Sequence, residues 1–315
     1  MATATLLEEM YSLKISPVEK ALRCQKAEHT YAGVPCGIMD QFISALGKEG
    51  NLLLIDCRSN SHTLVPFGSG EDAPVILVTN SKVKHALTGS EYPDRVKQCK
   101  EAVAAIQKSF PKVKSLRDAD HDMLEAVRSN LSAVAYKRAR HVIDEDRRTL
   151  QTVESLKTKD YATVGKLMNE SHNSLRDDYE VSCEEIDFLV KCARSHPAVY
   201  GSRITGGGFG GCTVTLVDRK AVKEVEEFIR ENYWKQYHHH CEFIAAVPSA
   251  GATVVELSQY RRFERESNAG TDSTKYDGPP SVEEETPEVS YVHYVVPALV
   301  ISGFLLLGVV LLKKR

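Results

Sequence analysis

The 315-residue sequence has eight cysteines but no C-x-x-C pair and no close Cys/His ligand spacing, which excludes a sequence-encoded zinc frame. The scattered cysteines give no disulfide framework either and read as small buried or free thiols of a reducing compartment. An excess of positive charge is also missing. At a net charge of −3, affinity for nucleic acid through bulk charge is excluded. Residues 1–15 hold Glu8, Glu9 and Lys14 and lack a long apolar core, so no secretory leader is expected there. No segment recurs at a fixed period. What is present, 42% hydrophobic and 26% charged residues, excludes a wholly disordered chain and suffices for one large domain or two smaller ones.

One stretch departs from that average. Val295–Leu312 runs eighteen residues without a charge, which as a helix is about the thickness of a bilayer's hydrocarbon core. Tyr291 and Tyr294 precede it, and Lys313, Lys314 and Arg315 follow it. This pattern predicts a transmembrane segment and basic tail over 291–315, with a buried core helix as the alternative. Residues 258–290, rich in Gly, Pro, Ser and Glu, predict a disordered linker. The expected location is therefore a cytosolic globular part tethered to a membrane by residues 295–312.

Within residues 1–257 the hydrophobic pattern alternates between helix and strand. Helical spacing covers 1–13, 17–30, 92–110, 122–130, 133–156, 161–173, 183–195 and 221–233. Short apolar runs predict strands at 51–56, 74–79, 199–204, 212–217, 242–247 and 253–257. Strands split around a helical block, with a β-β-α-β order at the end, predict an α+β two-layer sandwich with a ferredoxin-like part.

Two segments stand out chemically. Gly206-Gly207-Gly208-Phe209-Gly210-Gly211 formally satisfies G-x-G-x-x-G. That motif binds dinucleotides where it opens a helix, and here the β-rich CTVTLV follows instead. Five glycines let the backbone adopt positive φ and approach a polar partner closely, the plainer reading being a flexible hairpin. In GVPCGIMDQF (33–42), Asp40 stands at an apolar helix start. It reads as an N-cap or ion-pair partner, or as a carboxylate that meets a substrate hydroxyl near a base such as Lys84 or His85. Three further clusters favour structural readings. His238–His240 reads as a solvated loop, Arg138, Arg140, Arg147 and Arg148 as a salt-bridged helix surface, and Asp177–Asp178 as a helix cap.

GVPCGIMDQF, TNSKVKHALTGSEYPDRVKQC (79–99), KRARHVIDEDRRT (137–149), LMNESHNSLRDDYEVSCEEID (167–187) and YGSRITGGGFGGCTV (200–214) together resemble the galactokinase family. Galactokinases share a superfamily with homoserine, mevalonate and phosphomevalonate kinases, and the resemblance covers almost all of residues 1–257. It implies ATP-dependent phosphorylation of galactose at O1, with ATP and Mg²⁺ required and galactose and ATP as partners. It implies Asp40 as the active-site carboxylate, and Lys84 as a cation that keeps it ionised. It further implies Gly37 and Tyr92 as galactose contacts beside Asp40, and Gly206, Gly207, Gly208, Gly210 and Gly211 as a loop near the phosphates. No protein metal ligand is implied. The sequence contains neither the family's GRxNLIGEHxDY sugar motif nor its GLSSSA phosphate loop. The expectation is therefore a truncated N-terminal kinase domain over 1–65, a C-terminal kinase domain over 66–257, and impaired or absent turnover. A sugar-sensing or partner-binding protein of the same descent is the alternative.

Overall fold

A computed structural model describes residues 1–33, 36–84, 91–255, 294–298 and 306–310. The chain divides into two compact units. The first comprises Met1–Gly47, Ala250–Leu299 and Leu305–Arg315, and the second is chiefly Lys48–Ser249.

The first unit begins with helices α1 (Ala2–Met10), α2 (Pro17–Ala27) and α3 (Met39–Leu46). Ser16 caps α2, its hydroxyl accepting the Glu19 N–H at 3.1 Å, and Pro17 fills the first helical position, where no N–H is needed. The helix runs on into a π-helical turn, Glu28–Ala32, which ends at Gly33 in the left-handed region. After α3 the chain leaves the unit and returns at Gly251, whose N–H donates to Gly47 at 2.9 Å. Ala252 donates to Ser44 at 2.7 Å, and together they satisfy the last carbonyls of α3.

The expected membrane helix does not form. Within 295–312 the described residues are extended. Strands β7 (Tyr294–Ala298) and β8 (Leu306–Val310), numbered in chain order after β1–β6 below, pair antiparallel with Tyr294 opposite Val310. No helix among the described residues is long and apolar enough to cross a membrane. The reason is local: an uncharged run of Val, Ile and Leu suits strand and helix alike. Pro297, Gly303 and Gly308 disfavour one continuous helix across the run. The membrane-tethered location loses its anchor with this segment. The linker 258–290 and residues 256–257 lie outside the described residues, and 253–255 are not a strand.

The second unit opens with a hairpin of β1 (Asn51–Asp56) and β2 (Ser61–Pro66). Four further strands, β3 (Val75–Lys84), β4 (Val199–Thr205), β5 (Gly210–Val217) and β6 (Glu242–Ala246), form an antiparallel sheet in the order β4-β5-β3-β6. Between β3 and β4 lie α4 (Glu91–Ser109), α5 (His121–Ala126), α6 (Ala133–Lys157), α7 (Tyr161–Asp177) and α8 (Glu184–Arg194). Helix α9 (Val222–Tyr237) joins β5 to β6. This is the expected ferredoxin-like β-α-β-β-α-β path.

Alternate β3 residues Val75 and Leu77 enter a core with Ile186, Leu189, Val225, Ile229 and Tyr233 of α8 and α9. Each buried aliphatic side chain there contributes about 1.5–3 kcal/mol, enough to hold the helical layer on the sheet. A separate core of Ala102, Ile106, Leu124, Val127, Ala139 and Ile143 joins α4, α5 and α6. Helix α7 meets β4 by another device: Gly165 and Gly201 touch backbone to backbone. A Cβ built on Gly165 falls 2.0 Å from the Tyr200 carbonyl oxygen.

Candidate functional site

In the first unit, the segment before α3 is fastened by polar contacts from α2 and the π-helical turn. The Cys36 carbonyl accepts from Gln25 Nε2 at 3.2 Å and lies 2.8 Å from His29 Nε2. Glu28 Oε2 accepts from the Cys36 thiol at 3.0 Å and from Gln41 Nε2 at 2.8 Å. Burial, and then Glu28, push the Cys36 thiol up, so it stays protonated. Gly37 is exposed, and a Cβ built on it meets nothing within 4 Å among the described residues. The fold of this unit therefore leaves open space beside the Gly37 backbone.

Asp40 sits in the first turn of α3 but is not its N-cap, a place taken by Ile38. Its Oδ1 is buried without a hydrogen-bond partner among the described residues. Burial first, and the Glu28 charge second, push its carboxyl above the ordinary range. A neighbouring cation was expected to lower it, so the direction is reversed.

In the second unit, the end of β3 bends toward the glycine loop. Lys82 takes φ +59° and the β3/β5 register shifts between Asn80 and Lys84, a bulge. Asn80 Oδ1 accepts the Lys82 N–H at 2.9 Å. Ser81 Oγ accepts from the Val83 N–H at 3.1 Å and donates to the Gly211 carbonyl at 2.8 Å. Pairing then resumes with Lys84 opposite Gly210. His85 lies outside the described residues.

The loop uses its glycines for two different purposes. Gly206, Gly208, Gly210 and Gly211 all have positive φ, as does Phe209. Gly208 must also lack a side chain, because its Cβ would lie 2.5 Å from the Val181 carbonyl oxygen. Gly207 and Gly211, by contrast, meet nothing within 4 Å among the described residues. The close polar approach expected of the loop is thus made at one glycine to the protein's own backbone, and two others leave room for a further group.

The Val181 turn is held from behind by two arginines. Arg95, one turn after Tyr92 in α4, donates to the Tyr179 and Glu180 carbonyls at 2.7 Å each, and its guanidinium lies 5.8 Å from the Phe209 ring centre. Arg138, 2% exposed, donates to Gln98 Oε1, to the Asp178 carbonyl and to Glu180 Oε2. The β3 end, the start of α4 and the glycine loop are therefore tied into one region of the second unit.

The structure also sorts the three clusters read as structural. Arg140 pairs with Asp178 and Arg147 with Asp144, as a salt-bridged helix requires. Arg138 and Arg148 are buried, so that part of the expected surface lies inside. Asp178 is the C-terminal cap residue of α7, as expected of the pair, and Asp177 takes both oxygens to Arg176. His238 ends α9 in the left-handed region, and His240 stacks on Trp234. No group of His, Cys, Asp and Glu among the described residues is arranged to hold a metal. Sequence reading missed Ser81, Arg95 and Glu28. The only signal for Arg95 was its i+3 spacing from Tyr92.

Residues 1–48 match the GHMP kinases N terminal domain and residues 152–235 the GHMP kinases C terminal family. The chain is 49% identical to galactokinase of Bos taurus over 257 residues, covering 82% of this chain and 63% of that protein. It is 50% identical to galactokinase of Homo sapiens over 233 residues, covering 74% and 58%. The solved Lactococcus lactis galactokinase complexed with galactose superposes with a TM-score of 0.73 at 30% identity, covering 79% of this chain and 64% of that one. The chain thus spans about three fifths of the length of these relatives. Sequence identity, both family matches and the shared fold agree: over most of its length the chain is similar to the GHMP kinases.

Proposed function

We propose that this chain carries the galactose-side carboxylate and the C-terminal phosphate-side loop of a galactokinase, which transfers the γ-phosphate of ATP to O1 of galactose. Asp40 carries the reading: a carboxylate oxygen buried without a partner, beside open space at Gly37, is suited to receive a sugar hydroxyl. Its raised affinity for a proton makes it a stronger base once ionised. In the proposed reaction Asp40 accepts the proton of the anomeric hydroxyl as O1 bonds to the γ-phosphorus and the bond to the β-phosphate oxygen breaks. Gly37 and Tyr92 contact the sugar. Lys84 supplies positive charge to the transferring group, and Gly206, Gly207, Gly208, Gly210 and Gly211 form the backbone wall next to it.

The open flanks of Gly207 and Gly211 fit an approaching phosphate. Mg²⁺ bound with ATP would neutralise phosphate charge. No described acidic cluster is built to hold it, and no step is assigned to it. The 315 residues contain no Gly/Ser-rich loop of the GLSSSA form, so the polypeptide alone is expected to turn over at least about 100-fold more slowly than a full-length relative. Calorimetry with galactose and a coupled ATP-consumption assay test both halves of the proposal. Saturable galactose binding that disappears in Asp40→Ala supports the site. Binding with little or no turnover is expected of the loop-less kinase and of the sugar-sensing reading alike, and absence of galactose binding refutes the site.

A further inference from the structure

Apart from that region, a cleft of about 450 Å³ opens between α7 and α8, within the size range of small-molecule sites. Its polar lining is Arg176, Lys191, Arg194, Asp187, His172 and Ser195, with Phe188 and Val190 supplying apolar surface. Three cations thus face one carboxylate. Arg176 is bridged by Asp177 at 2.7 and 2.8 Å, but Lys191 is exposed and makes no ion pair among the described residues. Arg194 donates only to neutral oxygens: Asn169 and Ser202 carbonyls at 2.9 Å and Asn173 Oδ1 at 3.1 Å. Burial, and next the charge of Arg176, push Arg194 down to about 10, a direction consistent with positive charge left unmatched.

The carboxylate of the lining is itself already engaged. His172 is 1% exposed and lines the cleft, and its Nδ1 accepts the Ile204 N–H at 3.3 Å, which leaves the proton on Nε2. That Nε2 stands 3.2 Å from Asp187 Oδ1, its charge partner. Asp187 Oδ1 already accepts from Ser182 Oγ at 2.5 Å. With Asp187 engaged by His172 and Ser182, Lys191 and Arg194 have no carboxylate of their own among the described residues, an arrangement organised for an anion.

We propose that the α7/α8 cleft binds a small phosphate monoester of a polyhydroxylated compound. The phosphate sits between Lys191, Arg194 and Arg176, and hydroxyls meet Asp187 and Ser195. Phosphate suits the cluster because a dianion offers three acceptor oxygens to several cations at once.

The test is calorimetric titration of the full chain with a hexose 6-phosphate, with the free hexose and with inorganic phosphate. The hexose phosphate is expected to saturate, to weaken with added salt, and to bind about tenfold more weakly to Lys191→Glu, with a smaller loss for Lys191→Ala. Inorganic phosphate is expected to bind the same site more weakly, and the free hexose not to bind there. Absence of saturable binding, or binding unchanged in both Lys191 variants, overturns the proposal. Binding lost in Lys84→Ala but kept in Lys191→Glu places the phosphate at the proposed kinase site, which overturns the cleft and spares the kinase reading.

Discussion

Phe209 donates its backbone N–H to the carbonyl oxygen of Val181 at 2.7 Å while itself holding φ +61°. This bond joins two of the sequence segments that identify the family, the glycine loop and the LRDDYEVSC turn. It forms only because Gly208 brings the chain close enough to the same carbonyl. A non-glycine residue at positive φ is costly and persists where its surroundings fix it, as Arg95 does here by contacting both the turn and the Phe209 ring.

The loop glycines should therefore respond differently to the same substitution. Gly208→Ala puts a Cβ 2.5 Å from the Val181 oxygen at φ +87°, and is expected to cost about 1–3 kcal/mol and to lower the melting temperature. Gly207→Ala meets nothing within 4 Å and should melt within about 2 °C of the parent. Equal destabilisation by the two, read by thermal denaturation, would contradict this geometry.

Gly165 poses a more severe case, since its Cβ would lie 2.0 Å from the Tyr200 oxygen and 2.2 Å from the Tyr200 carbonyl carbon. A helix interior normally gains from Ala in place of Gly by about 1 kcal/mol. Here Gly165→Ala is expected to destabilise by about 3 kcal/mol or more, because two backbones must separate. A urea midpoint equal to the parent's would show that α7 does not rest on β4 in this way.

Asp40 gives a pH-dependent outcome. Its carboxyl holds a proton more tightly in the folded chain than in the unfolded one. The native state is therefore relatively favoured in acid, and loses that advantage as pH rises from the unfolded value near about 3.9 through the raised folded value. Asp40→Asn removes the penalty. It should raise the melting temperature at pH 7 by about 2 °C, with the gain vanishing below about pH 4. A melting gain independent of pH between 3 and 7 would exclude this origin.

The arginines of α6 separate by burial. Arg138→Ala leaves the Asp178 carbonyl without its buried donor, while half-exposed Glu180 keeps Lys137, and is expected to cost about 1–3 kcal/mol, loosening the turn that carries Val181. Arg147, 62% exposed and paired with Asp144 three residues away, should cost under about 0.5 kcal/mol on replacement by Ala. Chemical denaturation of the two variants measures the difference directly.

Much of the architecture was legible before any coordinates. The apolar runs at 51–56, 74–79, 199–204 and 212–217 and the periodic segments between them mark the strands and helices within a few residues. Strand β2 escaped notice because only Val65 is buried along it, so its sequence shows little apolar patterning. The apolar end of the chain misled for the opposite reason. Length and lack of charge are shared by a membrane helix and by paired strands, and only pairing distinguishes them.

The sequence by itself determined the family resemblance, the alternation of elements and the residue types at the candidate site, since all of these reside in local pattern and motif. It did not determine which glycines serve packing and which leave room for a ligand. Gly207 and Gly208 are adjacent and chemically identical, and their roles differ because Val181, 27 positions away, stands against one and not the other. The direction of the shift at Asp40 was likewise decided by tertiary structure. A carboxyl's proton affinity depends on the water removed and the charges brought near, and here burial and Glu28 act together against its ionisation.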